Sequence, residues 1–263
     1  MTALAWRRPP LIRRRSHRWA LAACVVLYLG LALATLEVDT ARLAEGLARG
    51  ARFVAAFGQP DFLSRQDDLL AGFRESLTMT ITATAVGIVL SLPLAVGASR
   101  NLSPRWIYLP CRGVIAVSRS FNEVIVAILL VVLFGFGPFT GFLTLTFATV
   151  SFMAKLVAER VEDIEDGSLE ALRATGAGFL QQLDFAVLSQ IRPRLVGLSL
   201  YRLDINFRES AVIGVVGAGG IGTTLHTAMD RYEYRTAAAV IVVIVVVVAA
   251  TELLSGWLRR RAL

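Results

Sequence analysis

The stretch Arg202-Leu-Asp204-Ile-Asn206-Phe-Arg208-Glu209-Ser210 sets charge inside an otherwise apolar region of the chain. At helical spacing Arg202, Asn206 and Glu209 share one face, while Asp204 and Arg208 stand i, i+4 as an ion pair. A helix entered at Leu195 places Arg208 roughly 20 Å along its axis, too deep for simple snorkelling. A charge at the centre of a membrane helix costs about 2.5–3.5 kcal/mol on insertion scales, so these residues must face a bundle interior or an aqueous cavity. Two readings are open. The charges brace helices in pairs, or they line a polar pathway in which Arg202, Asn206, Arg208 and Ser210 offer donors to an anionic solute. Arg119, Asn122 and Glu123 repeat the pattern nearer the inner surface.

Gly217-Ala-Gly219-Gly220-Ile-Gly222 matches the G-x-G-x-x-G dinucleotide pattern by letters. No βαβ unit surrounds it, and the chain after it leads into a membrane span. Glycines that serve a gate or close packing, in non-helical backbone near membrane depth, fit better. No G-x-x-x-x-G-K-[ST] occurs, so this chain has no P-loop for ATP. Two cysteines (Cys24, Cys111) and two histidines (His17, His226) make neither a metal site nor a disulfide framework. No catalytic group is expected.

The composition explains what must position these residues. The 263 residues are 56% hydrophobic and 18% charged, with a net charge of +7 and a mean hydropathy of +0.63. Soluble domains carry about a quarter charged residues, so a polytopic membrane protein is expected and an ordinary soluble enzyme excluded. A span needs roughly 20 mostly apolar residues. The candidates are Trp19–Leu36, Ser76–Ala98, Val114–Phe134, Phe139–Leu156, a polar fifth span from Arg194–Leu195, and Thr236–Trp257. Arginines cluster before the first span, between the second and third, and at Arg259, Arg260 and Arg261, which puts both termini in the cytoplasm. Ala32-Leu-Ala34 resembles a signal-peptide processing site, but the apolar run exceeds the usual 7–15 residues of an h-region, so the first span is read as retained. Residues 37–73 read as an external segment with an interfacial helix over Ala41–Phe57, or a solvated loop.

The polar stretch 158–193 contains Ser168-Leu-Glu170-Ala171-Leu-Arg173-Ala-Thr175-Gly176-Ala177, a short helix that stops at glycine, with Ser168 as its cap and Glu170 in its first turn. Glu170-Ala-Leu-x-x-x-Gly176 resembles the E-A-A-x-x-x-G coupling loop of bacterial ABC importer permeases. Together with Arg119-Ser-Phe-Asn-Glu123, Phe136-Gly-Pro-Phe139, Leu200-Tyr-Arg202 and Val216-Gly-Ala-Gly-Gly-Ile-Gly222, it is similar to the phosphonate permease family from about residue 60 onward. Two positions depart from the pattern: Leu172 stands where alanine is common, and Ser189 follows Val187-Leu188 where proline is frequent.

The resemblance implies an all-α polytopic fold of about six transmembrane helices, the type I ABC importer permease fold. It implies a permease homodimer in the bacterial inner membrane, a cytoplasmic ABC ATPase dimer that binds ATP and Mg, and an extracytoplasmic phosphonate-type binding protein. No cofactor is expected in this chain, and no nucleic acid. Glu170, Ala171, Arg173, Thr175, Gly176 and Ala177 become the ATPase contact. The parts are then a basic N-terminus (1–18), a first transmembrane helix (19–36), an external segment (37–73), a permease core (74–258) with the coupling loop 158–193, and a tail (259–263). An importer for methionine or an osmolyte is the nearest alternative; a secondary transporter or a membrane enzyme is more distant.

Overall fold

A computed structural model describes residues 14–35 and 40–262, all helix or connecting turn, with no strand among them. Arg7, Arg8, Arg13 and Leu36, on which the sidedness and end of the first span rest, lie outside the described residues, as do the side chains of Arg259, Arg260 and Arg261. The chain divides into two compact units, Met1–Arg52 and Phe53–Leu263. The first holds α1 (Arg15–Thr35), 21 residues long with none buried, and most of α2 (Thr40–Ala56). The helix over Ala41–Phe57 therefore forms rather than a loop, with Arg49 paired to Glu45 one turn away at 3.0 Å.

In the second unit Asp61 turns the chain into α3. Its Oδ1 accepts the amides of Leu63 and Ser64 at 3.1 and 3.0 Å; Ser64 hydroxyl and amide together hold that carboxyl below its ordinary range. α3 (Gln66–Gly97) is 32 residues long. It begins ten residues before the expected Ser76, so 66–73 is helical and continuous with that span. Asp67 and Asp68 in its first turn suit the positive end of the helix dipole. The small residues of α3 then do what their size allows. Gly87 meets α6 (Pro138–Glu162) so closely that a Cβ there would lie 2.5 Å from Thr149 Cγ2.

The expected span Val114–Phe134 is corrected by a break. α4 (Arg105–Ser120) and α5 (Glu123–Phe134) meet at about 90°. Asn122 causes it: extended at ψ 140°, it caps α5 by accepting the Val124 amide at 2.9 Å. Beyond α6, the polar stretch is helical rather than a loop: α7 (Asp166–Ala174), a turn over Phe179–Gln181 (α8), a π-helix over Gln182–Leu188, and α9 (Ser189–Val215). α10 (Ile221–Asp230) and α11 (Tyr234–Ala262) complete the unit.

Among the described residues α1, α3, α6 and Tyr234–Leu253 of α11 are long and apolar enough to cross a membrane, and α4 with α5 adds a fifth if the bent pair is one span. The expectation of about six rests on α9. Its charges remove it from an apolar count, yet its 27 residues reach ~40 Å. Three buried clusters hold the unit: Ala95, Ile115, Met153, Val157 and Ile191 at one end, Met79, Ala83, Leu145 and Ile213 in the middle, and Leu69, Ala211, Ile221 and Val240.

Candidate functional site

α9 carries its polar residues on two faces that do different things. Arg202 is 2% exposed. Its Nε donates to Thr149 Oγ1 on α6 at 3.2 Å, and its Nη2 donates to Glu209 at 3.1 Å. Glu123 of α5 stands 4.0 Å from the same nitrogen. Asn206, fully buried, donates to both Thr84 Oγ1 of α3 and Thr149 Oγ1 at 2.8 Å. Each threonine hydroxyl in turn donates to a carbonyl four residues back, Thr80 and Leu145, at 2.6 Å. One hydrogen-bonded network thus ties α3, α6 and α9 at depth, where an unpaired polar group is costly, and Glu123 of α5 stands beside it at ion-pair distance.

Asp204 and Arg208 face away from that network. They pair at 3.1 Å as the spacing predicts, and Asp204 accepts from Thr251 of α11 at 3.1 Å. Arg208 is more than half exposed. Ser210 is buried, and its hydroxyl donates to the Phe207 carbonyl at 2.7 Å. Neither residue joins Arg202, so the structure splits the expected donor set.

Arg119, Glu123, Phe121, Ser118, Ser151 and Phe152 instead line a cleft of about 100 Å³ beside Arg202. Phe152 holds the two arginines in relation. The Arg202 guanidinium sits 5.2 Å from its ring centroid and that of Arg119 5.9 Å, within the cation–π range. Asn122 lies at the break with its Oδ1 spent on the α5 cap. The cleft offers one guanidinium, Arg119, and one carboxylate, Glu123.

The glycine run forms a non-helical crossing before α10. The Gly217 carbonyl accepts the Gly137 amide at 3.0 Å. Glu75 and Ser76 of α3 accept the Gly220 and Ile221 amides at 3.0 and 2.9 Å. Gly219 shows why no other residue serves: its φ is +80°, and a Cβ would lie 2.6 Å from the Pro138 backbone. Gly222 is helical, in α10, and a Cβ there would lie 2.1 Å from the Ala211 carbonyl. A Cβ at Gly217 or Gly220 would likewise run into a side chain, Phe136 and Ser76 respectively.

At the other end, α7 begins at Asp166 rather than Ser168, and no side chain caps it. Asp166 takes the favoured acidic position that Glu170 was expected to fill. Its C-terminus is as read. Gly176 has φ +78°, its amide donates to the Arg173 carbonyl at 3.0 Å, and the Ala177 amide donates to the Leu172 carbonyl at 3.1 Å, a Schellman closure. Buried Leu169 anchors the helix. Glu170, Ala171, Thr175 and Gly176 are exposed and Ala177 partly so; Phe179, Leu180 and Phe185 beside them are 51%, 76% and 67% exposed. Arg173 Nη2 reaches the Asn101 carbonyl at 3.3 Å, in the loop between α3 and α4.

Thr84, Thr149, Phe152, Glu75 and Ser76 complete these contacts and were not singled out in the sequence.

The description "Binding-protein-dependent transport system inner membrane component" matches residues 77–263. The chain is 37% identical over 251 residues to a phosphate-import permease protein of Mycolicibacterium smegmatis; the match covers 95% of this chain, which spans about half, 47%, of that relative. It is 34% identical over 249 residues to a putative phosphite transport system permease protein of Stutzerimonas stutzeri, covering 94% of this chain and 88% of the relative. Its fold superposes on a chain of the MetNI methionine ABC transporter in an inward-facing conformation with a TM-score of 0.66 at 25% identity, over 74% of this chain and 96% of that one.

Proposed function

The chain belongs to the family of binding-protein-dependent transport system inner membrane components, and on that premise we propose that it is the permease subunit of an ATP-driven importer for phosphonate or a related phosphorus oxyanion, phosphate or phosphite. The observation that carries the solute reading is Arg202, a guanidinium 2% exposed in the bundle beside the Arg119 cleft. Planar guanidinium donors suit phosphonate-type oxygens. The relatives named for phosphate and phosphite transport support the same class.

In this reading two copies pair in a bacterial plasma membrane with both termini cytoplasmic. A partner ATPase dimer binds ATP and Mg, and an extracytoplasmic binding protein delivers the solute. This chain contributes no catalytic group. ATP-driven closure of the partner pushes on Glu170, Ala171, Arg173, Thr175, Gly176 and Ala177. Exposure of α7 and of Phe179, Leu180 and Phe185 supports that contact. The push shifts the bundle between inward- and outward-open states. Arg119, Asn122, Glu123 and Arg202 contact the solute, Asn206 holds the helices that present Arg202, and the Gly217–Gly222 crossing closes the far end.

Reconstituting the complete assembly and assaying ATP-driven uptake of methylphosphonate, phosphite, phosphate and methionine tests the reading. Phosphorus oxyanions are expected to be carried and methionine refused. The likeness to a methionine transporter makes the amino acid the second reading, and methionine uptake alone would select it.

A further inference from the structure

Just past the end of α3, Arg100, Ser103, Arg105, Tyr108 and Leu109 enclose a cleft of about 320 Å³ that takes no part in the path described above. No acid lines it. Glu162, which does touch this loop, is engaged elsewhere: it accepts the Arg100 backbone amide at 2.8 Å and the Arg112 guanidinium at 2.7 Å. The side chains of Arg100 and Arg105 have no ion-pair partner among the described residues. Ser103 spends its hydroxyl hydrogen on the Val96 carbonyl at 2.9 Å. The donors left for a guest are therefore two guanidiniums and the Tyr108 phenol, a set that fits a phosphate-type anion.

The surroundings choose among such anions. Trp106 and Leu109, on the first turns of α4, are 75% and 55% exposed. The loop follows Gly97, the last residue of a membrane-spanning helix, by only three positions at Arg100. Tryptophan and tyrosine next to arginine at the end of a span mark the headgroup level of a bilayer. Free phosphate makes no use of the apolar flank, whereas a phospholipid does.

We propose that this cleft binds the headgroup phosphate of an anionic phospholipid, with its acyl chains against Trp106 and Leu109. Asn101, next to Arg100, accepts from Arg173 of α7, so the bound lipid stiffens the loop that backs the ATPase-facing helix. The lipid claim stands apart from the choice of transported solute.

Native mass spectrometry of the full-length chain purified from membranes supplemented with phosphatidylglycerol or phosphatidylcholine tests it. Phosphatidylglycerol is expected to survive detergent washing and phosphatidylcholine not. In R100A/R105A retention should fall roughly thirtyfold, from two lost arginine contacts, while R100K/R105K, which keeps both charges, should retain the lipid. An unchanged thermal midpoint in both variants separates this loss from misfolding. Equal retention in R100A/R105A, or equal retention of phosphatidylcholine, overturns the proposal. Displacement of the lipid by millimolar inorganic phosphate would reassign the cleft to free phosphate, and loss of ATPase association with lipid retention intact would give it to a protein partner.

Discussion

Arg202 and Asn206, one turn apart on α9, donate to the same acceptor: Thr149 Oγ1 receives Nε of the arginine at 3.2 Å and Nδ2 of the asparagine at 2.8 Å. A single uncharged hydroxyl on α6 thereby fixes the guanidinium against Glu209 and Phe152. Thr149→Val keeps the shape and removes the acceptor. Leaving buried donors unpaired should cost about 1–3 kcal/mol, read as a lower thermal midpoint of the purified permease, and Thr149→Ser should restore most of it. An unaltered midpoint in the valine variant would mean the network contributes nothing.

Arg202 separates brace from path through a double-mutant cycle. Arg202→Ala strands Glu209 and is expected to lower both stability and uptake. The double variant R202A/E209Q removes the stranded carboxylate and should recover stability, yet uptake should stay depressed. Recovery of uptake along with stability would reduce Arg202 to a structural pair. Arg202→Lys keeps the charge but loses the planar donor fork, so an intermediate uptake is expected.

Gly219 tests the crossing. With φ +80° and the Pro138 backbone 2.6 Å from a notional Cβ, Gly219→Ala forces either strain of about 1–2 kcal/mol or a shift of the α5–α6 turn. Transport should fall while assembly with the ATPase persists. Gly113, helical and with nothing within 4 Å of a Cβ, is the control; Gly113→Ala should be neutral or stabilise by up to about 1 kcal/mol. Equal effects of the two would remove the special role of the crossing.

Gly176 tests the coupling helix. Its φ of +78° closes α7, and space around it is open, so Gly176→Val acts through the backbone rather than by collision. ATPase co-purification or stimulated turnover should drop several-fold while the permease fold survives. Full association and normal turnover would take α7 out of the coupling role.

The charged faces of α9 were legible because a charge in a span is rare and helical spacing sorts it: 202, 206 and 209 on one side, 204 and 208 on the other. Gly176 as a helix stop was legible for the same local reason. The break at Asn122 was written as asparagine before an acid, a helix-start signal, but the apolar runs on either side of Arg119–Glu123 add up to the length of one span and hid the 90° turn. Ser168 was taken for a cap because serine favours that place; Asp166, two residues earlier, starts the helix. Thr84 on α3 and Thr149 and Phe152, one turn apart on α6, carry no local mark of the contacts that α9 brings them, so only the packed bundle reveals them. Ser210 and Arg208 failed as partners of Arg202 because one bonds its own helix and the other, more than half exposed, pairs with Asp204 instead.

The most direct test of the account is uptake of methylphosphonate into proteoliposomes that hold either the complete assembly or the purified permease alone, each with and without ATP. The account predicts uptake only when the ATPase, the binding protein and ATP are all present. Solute movement by the permease alone, indifferent to nucleotide, would contradict it.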